Sequence, residues 1–137
     1  MKQFTLFLTL ICASMFAQEN PNWMRHSSIS PDGSQIAFTY KGDIYKVNAN
    51  GGKAQQLTFH SAHDYKAVWS NDGSKIAFAS NRYGNFDIYV MNADGGKATR
   101  LTFHSNDEHP YTFSKNDKDV VITQSKSKFI WLIINIK

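Results

Sequence analysis

Residues 30–38 read SPDGSQIAF and residues 70–78 read SNDGSKIAF, so a nine-residue pattern recurs after 40 residues. Three more blocks recur in the same order with an offset of 44 residues: DIY (43–45 and 87–89), GGKA (51–54 and 95–98) and LTFHS (57–61 and 101–105). The change of offset places a four-residue insertion at residues 81–85. A third copy starts with YTFS at residues 111–114. A period of roughly 40–45 residues indicates a repeat architecture.

Each copy reads as four short β-strands separated by turns. In the second copy the strands are predicted at residues 66–69, 75–79, 86–91 and 99–103, where Ile, Val, Phe, Tyr and Trp are frequent. An Asp side chain can hydrogen-bond the backbone two residues on, and Gly accepts positive φ, so the Asp-Gly and Gly-Gly pairs are expected to form turns. The predicted turn residues are Asp32, Gly33, Gly51, Gly52, Asp72, Gly73, Gly95 and Gly96.

Four strands in a unit of this length are typical of one blade of a β-propeller. The sequence therefore predicts an all-β fold with about two and a half four-stranded antiparallel blades, at residues 26–61, 64–105 and 109–125 of a domain spanning 22–125. Closed propellers have about four to eight blades, so this ring is expected to be incomplete. A β-sandwich with accidental internal similarity is the alternative, and four matched blocks in one order argue against it. The predicted blade core consists of Phe38, Tyr45, Trp69, Phe78, Tyr89 and Phe113.

The two ends of the chain differ from the repeats. Residues 1–17 combine a basic start, a short apolar stretch and small residues before the polar QENP, as a secretory signal peptide does. We expect cleavage after Ala17 and export to the periplasm or the extracellular space, with the single cysteine, Cys12, removed and no membrane span left. The apolar tail at residues 126–137 does not match the repeat, and it is expected to be either a frameshifted or read-through end or a buried strand.

The composition argues against several classes of function. The formal net charge is +4, but residues 18–125 contain eleven Lys and Arg and eleven Asp and Glu, so no basic stripe for nucleic acid remains. The sequence has no Gly-x-Ser-x-Gly nucleophile elbow and no glycine loop of the kind that cradles phosphate. We therefore expect no catalytic residue, no cofactor and no nucleic-acid partner.

Potential metal ligands cluster around the two LTFHS blocks. Zinc is bound by His and carboxylate side chains, but the histidines of the two blocks hold equivalent repeat positions at the end of the outer strand. The residues after them would connect one blade to the next, at an end of the propeller where ligands often bind. We therefore predict no metal site, and a binding role for these loops is the better-supported alternative. The residues concerned are His60, His63, Asp64, His104, Asp107, Glu108 and His109.

Together, SPDG before IAF, DIY, Gly-Gly and Leu-Thr resemble the propeller repeat of the TolB and tricorn proteins over residues 23–123. NWMR at residues 22–25 and RYGNFDIY at residues 82–89 resemble one branch, the exported tricorn-like serine peptidases related to the C-terminal-processing proteases. The resemblance implies that propeller domains precede a PDZ domain and a domain with a serine nucleophile. It also implies that the propeller gates or sorts peptide substrates.

Three functions are consistent with this resemblance. The first is the noncatalytic propeller part of an exported tricorn-like serine peptidase, with peptides or proteins as partners. The second is a TolB-type periplasmic scaffold for protein interactions. The third is another exported enzyme with a propeller domain, such as a relative of the prolyl peptidases. No catalytic position of these families can be carried over to this chain, so the chain itself is not expected to be an enzyme.

Overall fold

The computed structural model describes residues 23–124 and 131–136. The predicted signal peptide, its Cys12, residue 125 at the end of the predicted third blade, and residues 126–130 and 137 of the tail lie outside the described residues. None of the described secondary structure is a helix of the length and hydrophobicity that crossing a membrane requires. The strands are β1 (Arg25–Ile29), β2 (Gln35–Tyr40), β3 (Asp43–Asn48), β4 (Gln55–Gln56), β5 (Asp64–Trp69), β6 (Lys75–Ser80), β7 (Asp87–Asn92), β8 (Thr99–Arg100), β9 (Glu108–Phe113), β10 (Asp119–Gln124) and β11 (Trp131–Asn135).

These strands form three antiparallel sheets that follow one another along the chain. The first sheet contains β1 to β4, the second contains β5 to β8, and the third contains β9, β10 and β11, with β10 in the middle. Within each sheet every strand pairs with its neighbour in sequence. The chain is therefore an open, incomplete β-propeller, and the predicted fold class is confirmed.

The blades stack through their faces, and the second blade lies between the other two. One apolar cluster joins the first blade to the second, and another joins the second to the third. Neighbouring residues of β6 divide between the two clusters, Ile76 and Phe78 in the first and Ala77 in the second, because side chains alternate across a strand. Burying one large apolar side chain stabilises a fold by about 1.5–3 kcal/mol, so this stacking holds the blades together.

The outer strand of the second blade is shorter than predicted. β8 ends at Arg100, whereas the sequence predicted a strand over residues 99–103. The Thr102 hydroxyl accepts the backbone N–H of Ile88 at 2.9 Å, where a longer strand would offer a carbonyl oxygen. The side chain of Thr102 therefore accepts the hydrogen bond that a backbone carbonyl would accept in a longer strand. Phe103 lies beyond the end of β8 and is 75% exposed.

The described part of the apolar tail continues the repeat. β11 pairs with β10, and Asn135 faces Asp119 as Asn92 faces Lys75 in the second blade. The Ile136 N–H donates to the Lys118 carbonyl at 2.7 Å, as Ala93 does to Ser74. Residues 131–135 thus form the third strand of the third blade, in the same register as β7 of the second blade. The third blade has three described strands, whereas the sequence predicted a half-blade.

The two ends of the blades have different loops. At what we call the connection end lie the links between blades, residues 57–63 and 101–107, and the loops between the second and third strands. At the turn end lie the Asp-Gly and Gly-Gly turns. There the Asp72 carboxylate accepts the N–H of Ser74 at 2.9 Å and the hydroxyl of Ser70 at 2.6 Å, and Asp32 makes the same set of bonds with Ser30 and Ser34. Repetition of this bonding explains why the SxDGS pattern recurs.

Candidate functional site

Each link between blades is fixed by the same backbone hydrogen bond at the connection end. The N–H of Asp64, at the start of β5, donates to the Gly42 carbonyl at 2.7 Å, and the N–H of Glu108, at the start of β9, donates to the Phe86 carbonyl at 2.7 Å. The first strand of each blade is thereby held against the loop of the blade before it. Side chains from different repeats therefore come together beside these two bonds.

Near this end, residues of each DIY block form hydrogen bonds or ion pairs with the outer strand or with the LT block that follows it. The Asp43 carboxylate accepts the Thr58 hydroxyl at 3.0 Å, and the Thr58 oxygen accepts the N–H of Ile44 at 2.9 Å. In the second blade, Asp87 forms an ion pair with Arg100 at 2.8 Å. An Asp that begins the third strand thus anchors the outer strand and the link that follows it.

The first strands carry irregularities that shape the connection end. His26 and Lys66 have φ values of 51° and 58°, in the left-handed region, and each lies at a β-bulge. A bulge re-aims the side chains beside it, and such features are common near functional sites. The third blade has Pro110 at the position of Lys66, and proline cannot adopt positive φ. Its irregularity therefore differs: Pro110 pairs with Ile122, and Tyr111 is the extra residue.

Five rings from three repeats form what we call the histidine–tyrosine cluster, with Tyr65 at its centre. The Tyr65 ring centroid lies 4.8–5.6 Å from the rings of its four neighbours, and its hydroxyl lies 2.7 Å from Nδ1 of His109. The members are His26, His63, Tyr65, Phe86 and His109. Edge-to-face contacts of this kind add specific geometry to the burial of aromatic surface.

Burial and nearby cations alter the acid–base properties of the cluster. The pKa of His109 is lowered, first by burial and then by the positive charge of Lys66. The pKa of His26 is lowered by burial, then by Lys66, Arg25 and His63. Burial, followed by the charge of Asp107, raises the pKa of the Tyr65 hydroxyl. His26 and His109 are thereby favoured in the neutral form, in which one ring nitrogen donates and the other accepts.

A cleft of about 380 Å³ opens beside this cluster, between the first and second blades. Its lining combines aromatic and cationic side chains with the half-buried Gly42, and it includes no carboxylate. Trp23, at its mouth, is 63% exposed. Concave sites with aromatic walls and a few polar groups are typical of ligand binding. The lining residues are Trp23, Arg25, His26, Thr39, Lys41, Gly42, His63, Tyr65 and Phe86.

The potential metal ligands occupy other roles. Nδ1 of His60 and of His104 accepts a backbone N–H two residues on, from Ala62 at 3.0 Å and from Asn106 at 3.2 Å. Asp64 is fully buried and pairs with Arg82 at 2.9 Å. Among the described residues, no group of three or more His, Cys, Asp or Glu side chains is arranged to hold a metal ion. These side chains therefore cap loops and neutralise buried charge.

Asp107 and Glu108 make hydrogen bonds at the end of the second link and at the start of β9. The Asp107 carboxylate accepts the N–H of Phe86 at 3.0 Å, and the Glu108 carboxylate accepts the amide of Gln124 at 3.1 Å. His63 and His109 belong to the histidine–tyrosine cluster instead. The sequence thus indicated loops at the connection end, but it did not indicate Tyr65, Phe86 or His26. Tyr65 and His109 are 44 residues apart, the offset of the repeat, and that spacing was the available signal.

The predicted turn and core residues lie in two regions. The eight turn residues lie at the turn end, and all six glycines among them have positive φ, from 71° to 118°. Phe78, Tyr89, Phe113 and Phe38 are buried, whereas Tyr45 and Trp69 are half-buried. Trp69 packs against the first apolar cluster and donates its indole N–H to the Ser28 carbonyl at 3.2 Å. None of these residues lines the cleft at the connection end.

The three antiparallel sheets stack in chain order, and a ligand-sized cleft lies at the end where the links cross. This arrangement defines a β-propeller domain rather than a catalytic domain. Residues 21–133 match the family described as the tricorn protease N-terminal beta propeller domain. The chain belongs to that family.

Three relatives illustrate the relationship. Dipeptidyl-peptidase 5 of Porphyromonas gingivalis is 40% identical over 107 residues, which cover 71% of this chain and 16% of that protein. A Protein TolB homolog of Chlorobium luteolum is 30% identical over 66 residues, 48% of this chain and 14% of its own length. The crystal structure of TolB from Acinetobacter baumannii is similar with a TM-score of 0.64 at 27% identity, and the match covers 79% of this chain and 28% of that one. The chain thus spans about a sixth of the length of the curated relatives that it matches.

Proposed function

We propose that this chain is the noncatalytic propeller part of an exported tricorn-like serine peptidase and that it binds or gates peptide substrates at the connection end. The observation that carries the proposal is the cleft beside Tyr65, whose walls combine aromatic and cationic side chains. Extended peptides bind such sites through their backbone and through side chains that enter aromatic pockets. Membership of the tricorn propeller family and similarity to a dipeptidyl-peptidase support a peptidase as the parent protein.

A TolB-type scaffold for protein interactions in the periplasm is the second candidate. Similarity to TolB of Acinetobacter baumannii and to the TolB homolog favours it. A scaffold would use the same end of the propeller for a folded partner rather than for an extended peptide. In both cases we propose export, on the basis of the signal-like pattern of residues 1–17. N-terminal sequencing of secreted protein would then begin at Gln18, and an intact Met1 in a soluble cytoplasmic pool would refute export.

Peptide binding can be measured by the fluorescence anisotropy of a labelled, uncharged, unstructured peptide that carries two aromatic residues. The proposal predicts saturable binding that Trp23→Ala and Tyr65→Ala weaken. Trp69→Phe, at the turn end of the same blade, is the control and should leave binding unchanged. Binding of a folded envelope protein without binding of any short peptide would favour the scaffold. Equal effects of Trp23→Ala and Trp69→Phe would contradict the assignment of the cleft.

A further inference from the structure

A second groove, separate from the cleft, runs along the outer rim between the first and second blades. This rim groove has a volume of about 580 Å³. His60 lines it from the first blade, and Arg82, Tyr83, Tyr89, Lys97 and Arg100 line it from the second. Its lining contains no carboxylate. The four-residue insertion supplies Arg82 and Tyr83, so the groove has this lining only where the loop is long.

Ion pairs and ring contacts hold the two arginines of the rim groove in place. Arg82 pairs with the buried Asp64 at 2.9 Å, and its guanidinium lies 4.8 Å from the Tyr89 ring centroid. Arg100 pairs with the buried Asp87 and lies between two exposed rings, 4.4 Å from Tyr83 and 4.5 Å from Phe103. Both guanidinium charges are therefore balanced by carboxylates below the surface. Lys97 forms no ion pair with any described residue and supplies the uncompensated positive charge.

Several hydrogen-bond donors of the rim groove lack an acceptor. The Nε of Arg82 and the hydroxyl of Tyr89 are buried, and neither has a hydrogen-bond partner within the described residues. Because Nδ1 of His60 accepts the Ala62 N–H, its neutral ring carries the proton on Nε2, which is a further donor. The same buried layer contains acceptors without a partner among the described residues, including Oδ1 of Asp64 and Oδ1 of Asp87. The Arg82 and Tyr89 groups therefore lie beneath the groove, and the exposed donors of its lining are Lys97 and His60.

We propose that the rim groove binds an acidic segment of a peptide or protein, with Asp or Glu carboxylates near Lys97 and His60 and with apolar atoms against Tyr83. A carboxylate offers about four lone-pair positions and no donor, which matches a lining of donors without acidic groups. Opposite charges also speed and orient association. The site lies outside the cleft, so this inference goes beyond the proposed function and does not depend on it.

The repeat provides a matched control for Lys97. Lys53 occupies the equivalent position in the first blade, within the same GGKA block, and it is also exposed. Lys53→Glu and Lys97→Glu therefore make the same change of charge at equivalent positions, and only Lys97 lines the rim groove. Arg25→Glu makes the same change in the cleft at the connection end.

The experiment measures the anisotropy of fluorescein-labelled hexaglutamate with the full chain and these three variants. Binding should be saturable and should weaken as NaCl rises, since salt screens exposed charges. We expect Lys97→Glu to weaken binding about tenfold and Lys53→Glu to change it less than about twofold. Arg25→Glu reports separately on any hexaglutamate that binds in the cleft. Thermal melts establish that each variant is folded.

Three outcomes would overturn the inference. Equal losses in Lys53→Glu and Lys97→Glu would show that hexaglutamate responds to overall charge alone. Loss in Arg25→Glu with normal binding by Lys97→Glu would place the acidic ligand in the cleft. Tighter binding of single-stranded oligonucleotide than of hexaglutamate, with the same dependence on Lys97, would assign the rim groove to another class of ligand.

Discussion

Asp117 holds the turn of the second blade through the backbone N–H of Asn71, which donates to its carboxylate at 2.7 Å. The side-chain amide of Asn71 donates to the same oxygen at 2.7 Å, and the Asp72 N–H donates to the other oxygen at 2.9 Å. At the preceding junction the equivalent residues are Pro31, which has no N–H, and Gly73, which has no side chain. Asp117 has a φ of 55°, close to the 71° of Gly73, so it has the backbone conformation of the glycine at the equivalent position of the second blade. Its hydrogen bonds to Asn71 and Asp72 form what we call the latch between the second and third blades.

We expect Asp117 and Asn71 to be energetically coupled. Asp117→Gly removes three hydrogen bonds but relieves a left-handed conformation that costs a non-glycine residue about 1–2 kcal/mol. In the natural chain the substitution should lower the free energy of unfolding. After Asn71→Pro, which already removes two of the bonds, the same substitution should be close to neutral. Urea unfolding of the four proteins in a double-mutant cycle measures the coupling, expected to be about 1 kcal/mol or more. Additive effects would contradict the latch.

The acid sensitivity of the blades should depend on Asp32 and Asp72. Hydrogen bonds from neighbouring serine hydroxyls and backbone N–H groups lower the pKa of each to about 2, from 3.8. A carboxyl whose pKa is lower in the folded state stabilises the fold above its unfolded pKa, and this is lost as pH falls from about 4 to about 2. Asp72→Asn should therefore reduce the free energy of unfolding at pH 7 and leave it little changed near pH 2.

The third blade contains the reciprocal test. Asn116 takes the place of Asp72 and accepts the Ser114 hydroxyl at 2.8 Å and the Lys118 N–H at 3.2 Å. Asn116→Asp should raise stability at neutral pH and add the same pH dependence that Asp72→Asn removes. Acid titration followed by tryptophan fluorescence would compare the two variants. Parallel acid curves for natural chain and both variants would show that these turns do not control acid unfolding.

Thr58 should contribute more to stability than its size suggests. Its buried hydroxyl joins the Ile44 N–H to the Asp43 carboxylate, so Thr58→Val leaves the buried Ile44 N–H without this acceptor and the half-buried Asp43 carboxylate with one partner fewer. Each unsatisfied group costs about 1–3 kcal/mol, and the melting temperature should fall accordingly. Thr99→Val changes an exposed threonine of β8 in the same way and should be nearly silent. Similar melting temperatures for both variants would refute the motif.

The histidine–tyrosine cluster should make stability depend on pH near neutrality. Burial and Lys66 lower the pKa of His109 below its ordinary 6.5, so the unfolded chain binds protons that the folded chain excludes. The free energy of unfolding should therefore fall as pH decreases below about 6.5. His109→Gln should flatten this dependence, whereas His104→Gln, at an exposed link position, should retain it. Unfolding by urea at pH 7.5 and pH 5.5 provides the measurement, and an unchanged slope in His109→Gln would contradict the assignment.

The blade repeat could be predicted from the sequence because each block maps onto one local structure. The SxDGS pattern is a turn closed by its own Asp, and the Asp of DIY joins the Thr of LT across a single sheet. The cleft could not be predicted in this way because its rings come from two different repeats and meet only after the blades stack. The strand at residues 131–135 could not be predicted from the repeat because it has no DIY-like block and shares only Asn135 with the equivalent strands.

Arg100 and the inserted loop form one unit, although 17 residues separate Arg100 from Tyr83. The first blade has Gln56 at the position of Arg100 and the tight Lys41-Gly42 loop in place of the insertion. If only the outer strand of the second blade were transplanted into the first, the guanidinium of Arg100 would lack the Tyr83 ring. If only the inserted loop were transplanted, Tyr83 would lack the cation that packs against it. Blade shuffling in such proteins therefore has to exchange the loop and the outer strand together, as a single cassette.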